Sequence, residues 1–259
     1  MTNTRDNTQS RPVALVTGVG RRVGIGFEVA AQLAKDGFDV GCSSWAAYDA
    51  RMAWGADHQV AETATALFAE SRAQRVVVEA SLEQPESVPA LFDRVEKELG
   101  PISVLVMCHA ESVDSGILGT SIESFDRHFA VNARATWLLI REFGLRYVMA
   151  PGVGRIIAMT SDHTVNNLPY GASKGALDRI TLAAAQEFAH LGVTANVINP
   201  GPTDTGWMSQ EIRSHVLAET PLHRIGTSHD AANLVSFLCS PRGGWINGQL
   251  LHSNGGLSS

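Results

Sequence analysis

Tyr170 and Lys174 stand four residues apart in a chain that has only three tyrosines and three lysines. On a helix this spacing places both side chains on one face, where the ammonium group would favour the phenolate and lower the tyrosine pKa toward working pH. A tyrosine with such a partner can act as a general acid on an oxygen that gains negative charge. The alternative interpretation is a surface pair at ordinary helical spacing, without a chemical role.

A glycine-rich turn near the amino terminus is the second feature that predicts chemistry. The apolar run 12–17 leads into Gly18-Val-Gly-Arg-Arg-Val-Gly24-Ile25-Gly26, and a helical pattern follows at 27–35. Glycines between a strand and a helix let the backbone approach a pyrophosphate, while the helix amino terminus supplies N–H donors and partial positive charge. This context predicts nucleotide binding; the alternative is a plain turn.

The elements that must position these residues alternate regularly along the chain. Short apolar runs predict buried strands at 12–17, 40–42, 75–78, 102–107, 155–159, 193–198 and 248–252. Amphipathic segments lie between them, as at 85–99, where Gly100-Pro101 ends the pattern. Repeated strand–helix–strand units predict an α/β fold with a doubly wound parallel sheet, of Rossmann type. We expect a flexible lead-in at 1–11 and a single nucleotide-binding and catalytic domain at 12–259.

Composition excludes several classes of protein. A formal net charge of -6 and an isoelectric point near 5.8 provide no basic surface for a nucleic-acid backbone. Cys42, Cys108 and Cys239 are too few and too scattered for a disulfide framework or a metal site. No apolar stretch is near the length of a membrane span, and residues 1–11 are polar. We therefore predict a soluble cytoplasmic protein without metal, nucleic-acid or membrane partners.

In chain order, the motifs resemble those of the short-chain dehydrogenase/reductase family, in particular members similar to 3-oxoacyl-acyl carrier protein reductases. The matching motifs are Thr17-Gly18, Gly24-Ile25-Gly26, Asn132, Ser161, Tyr170-Gly-Ala-Ser-Lys174 and Asn199-Pro-Gly201-Pro-Thr203. The resemblance implies a Rossmann-type fold and a homotetramer or homodimer that associates through two helices and the last strand.

The same resemblance implies a catalytic tetrad of Asn132, Ser161, Tyr170 and Lys174. Tyr170 would give its proton to the substrate oxygen, and Ser161 would hydrogen-bond that oxygen. Lys174 would also hold the cofactor ribose, and Asn132 would fix a water that links Lys174 to solvent. The alternative for Asn132 is a helix cap or kink, and the alternative for Ser161 is a plain strand end.

The segment after the second strand predicts NADP rather than NAD. NAD-selective sites usually have a carboxylate there, whereas this strand ends in Ser43-Ser44-Trp45. Asp39 begins the strand and Asp49 falls in the loop beyond it, so we expect neither carboxylate to lie where it would repel a 2′-phosphate. We predict that Ser43, Ser44, Arg21 and Arg22 bind the 2′-phosphate; the alternative is that both arginines point to solvent. The other predicted cofactor contacts are Gly18, Gly24, Ile25, Gly26, Ser81, Leu82, Cys108, His109, Tyr170, Lys174, Pro200, Gly201, Thr203 and Thr205.

Several positions depart from the family pattern. Five residues separate Thr17-Gly18 from Gly24, a longer turn that is similar to that of enoyl-acyl carrier protein reductases. Those enzymes place the lysine farther from the tyrosine, and no lysine follows Lys174, so carbonyl reduction is favoured over enoyl reduction. His109 stands in an apolar surrounding, and its alternative is a packed, hydrogen-bonded residue. The loop 162–169 is shorter than in many relatives, which opens the substrate pocket or shifts Ser161.

These features together predict an NADP(H)-dependent carbonyl reductase that acts on a small-molecule carbonyl or alcohol, such as a 3-oxoacyl thioester or another ketone. Two alternatives stay open. The same residues would serve an alcohol or sugar dehydrogenase that works oxidatively. A catalytically silent dinucleotide sensor would keep the fold, although the intact tetrad argues against it.

Overall fold

A twisted parallel sheet forms the centre of the molecule. The computed structural model describes residues 11–60, 62 and 71–257, so the predicted lead-in, apart from Arg11, lies outside the described residues. The strands of the described chain are β1 (Val13–Thr17), β2 (Asp39–Ser44), β3 (Arg75–Glu79), β4 (Ile102–Met107), β5 (Arg155–Met159), β6 (Thr194–Asn199) and β7 (Leu250–His252). Four of them, β1, β4, β5 and β6, are buried along their whole length, as expected for strands covered on both faces.

The strand order explains where a ligand must bind. The sheet runs β3-β2-β1-β4-β5-β6-β7, and every described pairing is parallel. The chain winds outward from β1 to β3 and then returns to place β4 on the other side of β1. A crevice opens beyond the carboxyl ends of the strands at such a reversal. The predicted doubly wound, Rossmann-type sheet is confirmed.

Helices cover both faces of this sheet. The described α-helices are α1 (Ile25–Lys35), α2 (Ala46–Arg51), α3 (Ser87–Leu99), α4 (Ile122–His128), α5 (Ala135–Arg146), α6 (Leu168–Glu187), α7 (Gln210–Glu219) and α8 (Ser228–Cys239). A π-helical segment, Phe129–Arg134, joins α4 to α5, and short 3₁₀ turns follow α6 and α8. None of the helices in the described ranges is long and apolar enough to cross a bilayer.

Two apolar clusters hold the layers together. On one face, Phe92 of α3, Phe143 of α5 and Leu177 of α6 are fully buried against the sheet. On the other face, Leu33 of α1 packs with Val235 of α8. Large buried side chains contribute most of the stabilisation of such layers. Helix α6 is therefore anchored by its core face, which fixes the residues near its amino terminus.

The element boundaries differ from the prediction by up to two residues. β2 extends from Asp39 to Ser44, so the predicted phosphate-binding serines lie inside the strand rather than after it. The last strand begins at Leu250 instead of residue 248, because Gly248 adopts a positive φ of 68°. Left-handed backbone cannot continue a strand.

Candidate active site

A cleft of about 730 Å³ opens at the carboxyl ends of the strands. The glycine turn after β1 forms one wall, and the segments after β2 and β4 form the middle. The segments after β5 and β6 form the other end, where Ser161 and Tyr170 line the cleft together with Gly201. The position agrees with the crevice expected from the strand order.

Tyr170 enters this cleft from the first turn of α6. Pro169 is the second residue of the helix, where a backbone N–H would have no partner within the helix, and Tyr170 follows directly. Burial raises the pKa of Tyr170 to about 12, while a hydrogen bond with Ser161 acts in the opposite direction. The expected lowering of the tyrosine pKa is therefore wrong for this state of the protein, because desolvation outweighs the stabilisation of phenolate. A phenol with a raised pKa stays protonated and can donate.

Lys174 lies one helical turn behind Tyr170. Its Nζ is 5.7 Å from the centroid of the tyrosine ring and donates to the carbonyl of Met159 at 2.8 Å. The side chain is almost fully buried, and burial lowers its pKa to about 8, with Cys108 and Asp178 acting in the opposite direction. The predicted pairing on one helix face is present, and the ammonium sits at the end of β5.

Asn132 occupies the π-helical segment and is fully buried. Its Oδ1 accepts from the backbone N–H of Glu111 at 2.8 Å, and its Nδ2 donates to the carbonyl of Glu111 and to Oγ of Ser173, each at 2.9 Å. Single π-helical turns inside α-helices are frequent at functional sites. This side chain ties the segment after β4 to the catalytic helix, and its predicted role with a water stays a prediction.

The glycine turn has the shape that a dinucleotide requires. Gly18 has a φ of +76°, and a side chain there would lie 2.6 Å from the backbone N of His109. A side chain at Gly26 would lie 2.5 Å from the carbonyl of Gly18, so strand and helix approach closely. Helix α1 begins after Gly24, and no side chain caps it. Its first N–H groups therefore suit the phosphates of a nucleotide.

His109 is a packed residue that also lines the cleft. Its Nδ1 lies 2.7 Å from Oγ1 of Thr17, and its Nε2 lies 3.1 Å from the carbonyl of Val131. Because a carbonyl only accepts, Nε2 carries the proton and Nδ1 accepts from Thr17. Burial lowers the pKa of His109 to about 3, so the ring is neutral at ordinary pH. It joins the end of β1 to the π-helical segment.

Arg21 lines the cleft from the glycine turn. Its Nη1 donates to the carbonyl of Thr205 at 2.8 Å, and its guanidinium lies 4.3 Å from the centroid of the Trp54 ring. Its Nε is 3.5 Å from Asp49, a buried carboxylate that lines the cleft. The expectation that Asp49 is badly placed is therefore wrong: helix α2 brings it back against the glycine turn.

Arg22 does not line the cleft. Its backbone N–H and its Nε both bond Oδ2 of Asp57, at 3.1 and 2.9 Å, and the pair lies at the surface. The hydrogen bonds lower the pKa of Asp57, although desolvation opposes them. The predicted two-arginine phosphate clamp is corrected accordingly: one arginine faces the cleft, and the other is held by a carboxylate outside it.

Sequence reasoning missed a group of polar residues in the middle of the cleft. Glu111 is buried, and its carboxylate pairs with Arg51 of α2. Burial raises the pKa of Glu111, and Arg51 opposes this effect. Tyr48, also of α2, accepts a hydrogen bond from the backbone N–H of Ser112. The available signal was a carboxylate placed shortly after a fully buried strand, at the edge where ligands bind.

Most of the predicted site residues meet in this cleft. Arg22, Asn132 and Lys174 do not line it; the last two support it from behind. In the described part of the chain no three His, Cys, Asp or Glu side chains are grouped as metal ligands would be. The predicted residues that line the cleft are Gly18, Arg21, Gly24, Ile25, Gly26, Ser43, Ser44, Ser81, Leu82, Cys108, His109, Ser161, Tyr170, Pro200, Gly201, Thr203 and Thr205.

Comparison with known proteins shows which protein families and structures this chain is similar to. The family model described as Enoyl-(Acyl carrier protein) reductase matches residues 18–258. An uncharacterized oxidoreductase of Bacillus subtilis, YjdA, is 34% identical over 95% of this chain and 96% of its own. An NADPH-dependent aldehyde reductase-like protein of Arabidopsis thaliana is 35% identical over 94% and 93%. A short chain dehydrogenase of Burkholderia cenocepacia, solved in complex with NADP, has a TM-score of 0.83 at 26% identity, over 96% and 98%.

Proposed function

Because the chain belongs to the short-chain dehydrogenase/reductase family and is an oxidoreductase, we propose that it reduces a carbonyl group with NADPH. The observation that carries the proposal is the arrangement of Ser161, Tyr170 and Lys174. A protonated phenol, bonded to a serine hydroxyl, faces an open cleft, and a buried ammonium lies behind it. These three groups can together protonate a substrate oxygen while the carbon bonded to it receives hydride.

In this mechanism the residues have distinct tasks. Ser161 donates a hydrogen bond to the carbonyl oxygen and polarises it, and Tyr170 gives that oxygen a proton. Lys174 supplies positive charge that favours the phenolate left behind. Asn132 holds the segment after β4 against Ser173 and so keeps α6 in position. Lys174 is almost fully buried, so bulk water does not screen its charge.

NADP(H) would supply the hydride, and the residues present suit it. The uncapped start of α1 and its glycines fit the pyrophosphate, and Arg21 with Ser43 and Ser44 would hold the 2′-phosphate. Pro200 and Gly201 would border the nicotinamide. The NADPH-dependent relative of Arabidopsis thaliana and the structure from Burkholderia cenocepacia with NADP support the choice of cofactor.

Carbonyl reduction is proposed over enoyl reduction despite the description of the matching family model. Tyr170 and Lys174 are one helical turn apart, and no lysine follows Lys174 in the chain. An oxidative alcohol or sugar dehydrogenase would use the same residues in reverse, so the two directions share one site. The cytoplasmic location and the assembly as a homotetramer or homodimer stay predictions.

A substrate panel tests the proposal. Purified protein would be mixed with NADPH and, separately, aldehydes, ketones, a 3-oxoacyl thioester and an enoyl thioester, with nicotinamide absorbance as the readout. We expect turnover of carbonyl compounds that stops in the Tyr170→Phe variant. Turnover of the enoyl thioester alone, or no difference between parent and variant, would overturn the assignment.

A further inference from the structure

Asn167 has a buried side chain that its position in the helix does not explain. The residue precedes the first turn of α6, is 3% exposed and lines the cleft. Its side chain caps no N–H of the helix. Its backbone is satisfied: the N–H donates to the carbonyl of Thr164, and the carbonyl accepts from Gly171. The side-chain amide must therefore serve another purpose.

Half of this amide has no partner. Its Nδ2 makes a long hydrogen bond, 3.4 Å, to Oγ of Ser112, whereas its Oδ1 has no partner among the described residues. Turning the amide over would exchange an unpaired acceptor for an unpaired donor, because Ser112 still meets only one end. Buried polar atoms are nearly always paired, and leaving one unpaired costs stability. A ligand group that completes this pair would recover that cost.

Asn167 lines the cleft directly before the helix turn that carries Tyr170, and its Oδ1 is itself buried. Asn167 precedes Tyr170 by three residues, and both residues line the cleft. Ser112 bonds Tyr48 through its backbone N–H, and Tyr48 and Tyr170 line the same cleft. Asn167 and Ser112 thus form a polar pair in the wall of the cleft that also contains the phenol of Tyr170.

We propose that Asn167 and Ser112 bind a hydroxyl group on the carbon next to the reacting carbonyl, so that the enzyme prefers α-hydroxy carbonyl compounds. The proposal rests on the proposed carbonyl reduction. A hydroxyl both donates and accepts, and so completes the pair in either orientation of the amide. In the reaction the carbonyl carbon gains hydride, its oxygen gains the Tyr170 proton, and the neighbouring hydroxyl is unchanged; the product is a vicinal diol.

Hydroxyacetone and butanone test this directly, because they differ only by a hydroxyl in place of a methyl group. With NADPH and the intact protein, we expect kcat/KM for hydroxyacetone to exceed that for butanone by at least about tenfold. Asn167→Leu keeps the size of the side chain and removes its hydrogen bonds. It should abolish the preference by lowering kcat/KM for hydroxyacetone more than kcat/KM for butanone. Ser112→Ala, which leaves α6 untouched, should reduce the preference as well.

Thr164→Val is the matched control, since it removes a polar group from the same loop at an exposed residue that does not line the cleft. It should keep the preference of the parent. Equal kcat/KM for the two ketones in the parent, or an unchanged preference in both Asn167→Leu and Ser112→Ala, overturns the subsite and leaves carbonyl reduction standing. Failure to reduce any carbonyl compound, including those of the wider panel, would overturn the proposed function together with the subsite.

Discussion

The two ends of the cleft are built in different ways. At the reacting end, Tyr170 and Lys174 come from one helix turn, and Lys174 is neutralised by no carboxylate within ion-pair distance in the described chain. At the phosphate end, Arg21 meets Asp49 and Trp54, and in the middle of the cleft Arg51 meets Glu111. One end holds a desolvated cation, and the other holds paired charges drawn from distant segments.

The difference follows from what each end has to do. A proton donor needs a fixed neutral phenol and a charge whose influence water does not screen, so burial helps. A phosphate site must accept a highly charged ligand, and Arg21 is held by Asp49, which the ligand would replace as its partner. The reacting end should therefore be sensitive to small chemical changes, and the phosphate end should tolerate them better.

The largest effect is expected at Tyr170. Tyr170→Phe keeps the ring and removes the proton, so kcat should fall by at least about a hundredfold, with cofactor affinity nearly unchanged. Steady-state kinetics and titration of NADPH fluorescence measure the two quantities. If the variant kept most of its turnover, the reacting end would not be more sensitive to small chemical changes than the phosphate end.

The buried ammonium should give the reaction a pH limit. Burial lowers the pKa of Lys174 to about 8, so the charge is present below this pH and is lost as pH rises through it, while Tyr170 stays protonated. We expect kcat/KM for carbonyl reduction to be level below pH 8 and then to fall toward about tenfold per pH unit. Lys97→Met, a change at an exposed lysine, is the control and should leave the profile unchanged. A level profile well above pH 8 would argue against the role of Lys174.

Substitution of two neighbouring arginines tests which of them recognises the 2′-phosphate at the phosphate end. Arg21→Ala should reduce the preference for NADPH over NADH by about tenfold, since it removes one charge-assisted contact to the 2′-phosphate. Arg22→Ala should change it little, because Asp57 holds that side chain outside the cleft. The ratio of kcat/KM for the two cofactors is the readout. Equal effects of both variants would restore the two-arginine clamp, and no effect of either would place phosphate recognition elsewhere.

The smallest effect is expected at His109, which joins β1 to the π-helical segment between the two ends. Its folded pKa is about 3, below the ordinary value of 6.5, so the unfolded chain binds a proton in that interval and the folded protein does not. Stability is therefore full above pH 6.5 and is lost as pH falls. Lowering the pH from 7 to 5.5 should reduce the free energy of unfolding by about 1 kcal/mol through this group. The His109→Asn variant should not show this reduction. Urea denaturation measures it. The exposed His190→Asn is the control, and an equal pH response in parent and His109→Asn would contradict the expectation.

The sequence predicted the reacting end better than the phosphate end. Tyr170 and Lys174 could be paired because helical periodicity alone brings them together, and the glycine turn could be placed because its strand and helix adjoin it in the chain. Asp49 was misplaced, and Arg51 with Glu111 was missed, because these contacts depend on how α2 folds back across the cleft. Spacing along the chain contains no such information.

By itself, the sequence determined the alternation of strands and helices, the parallel sheet and the local motifs, since each of these depends on periodicity and on neighbours in the chain. Only the tertiary structure decided the charge state and the partners of the site. Burial raises the pKa of Tyr170 and lowers that of Lys174. The same packing pairs Arg22 with Asp57 in an ion pair and leaves Oδ1 of Asn167 without a hydrogen-bond partner within the described chain. Desolvation and hydrogen-bond satisfaction depend on what surrounds an atom in space, and that environment exists only once the segments have packed.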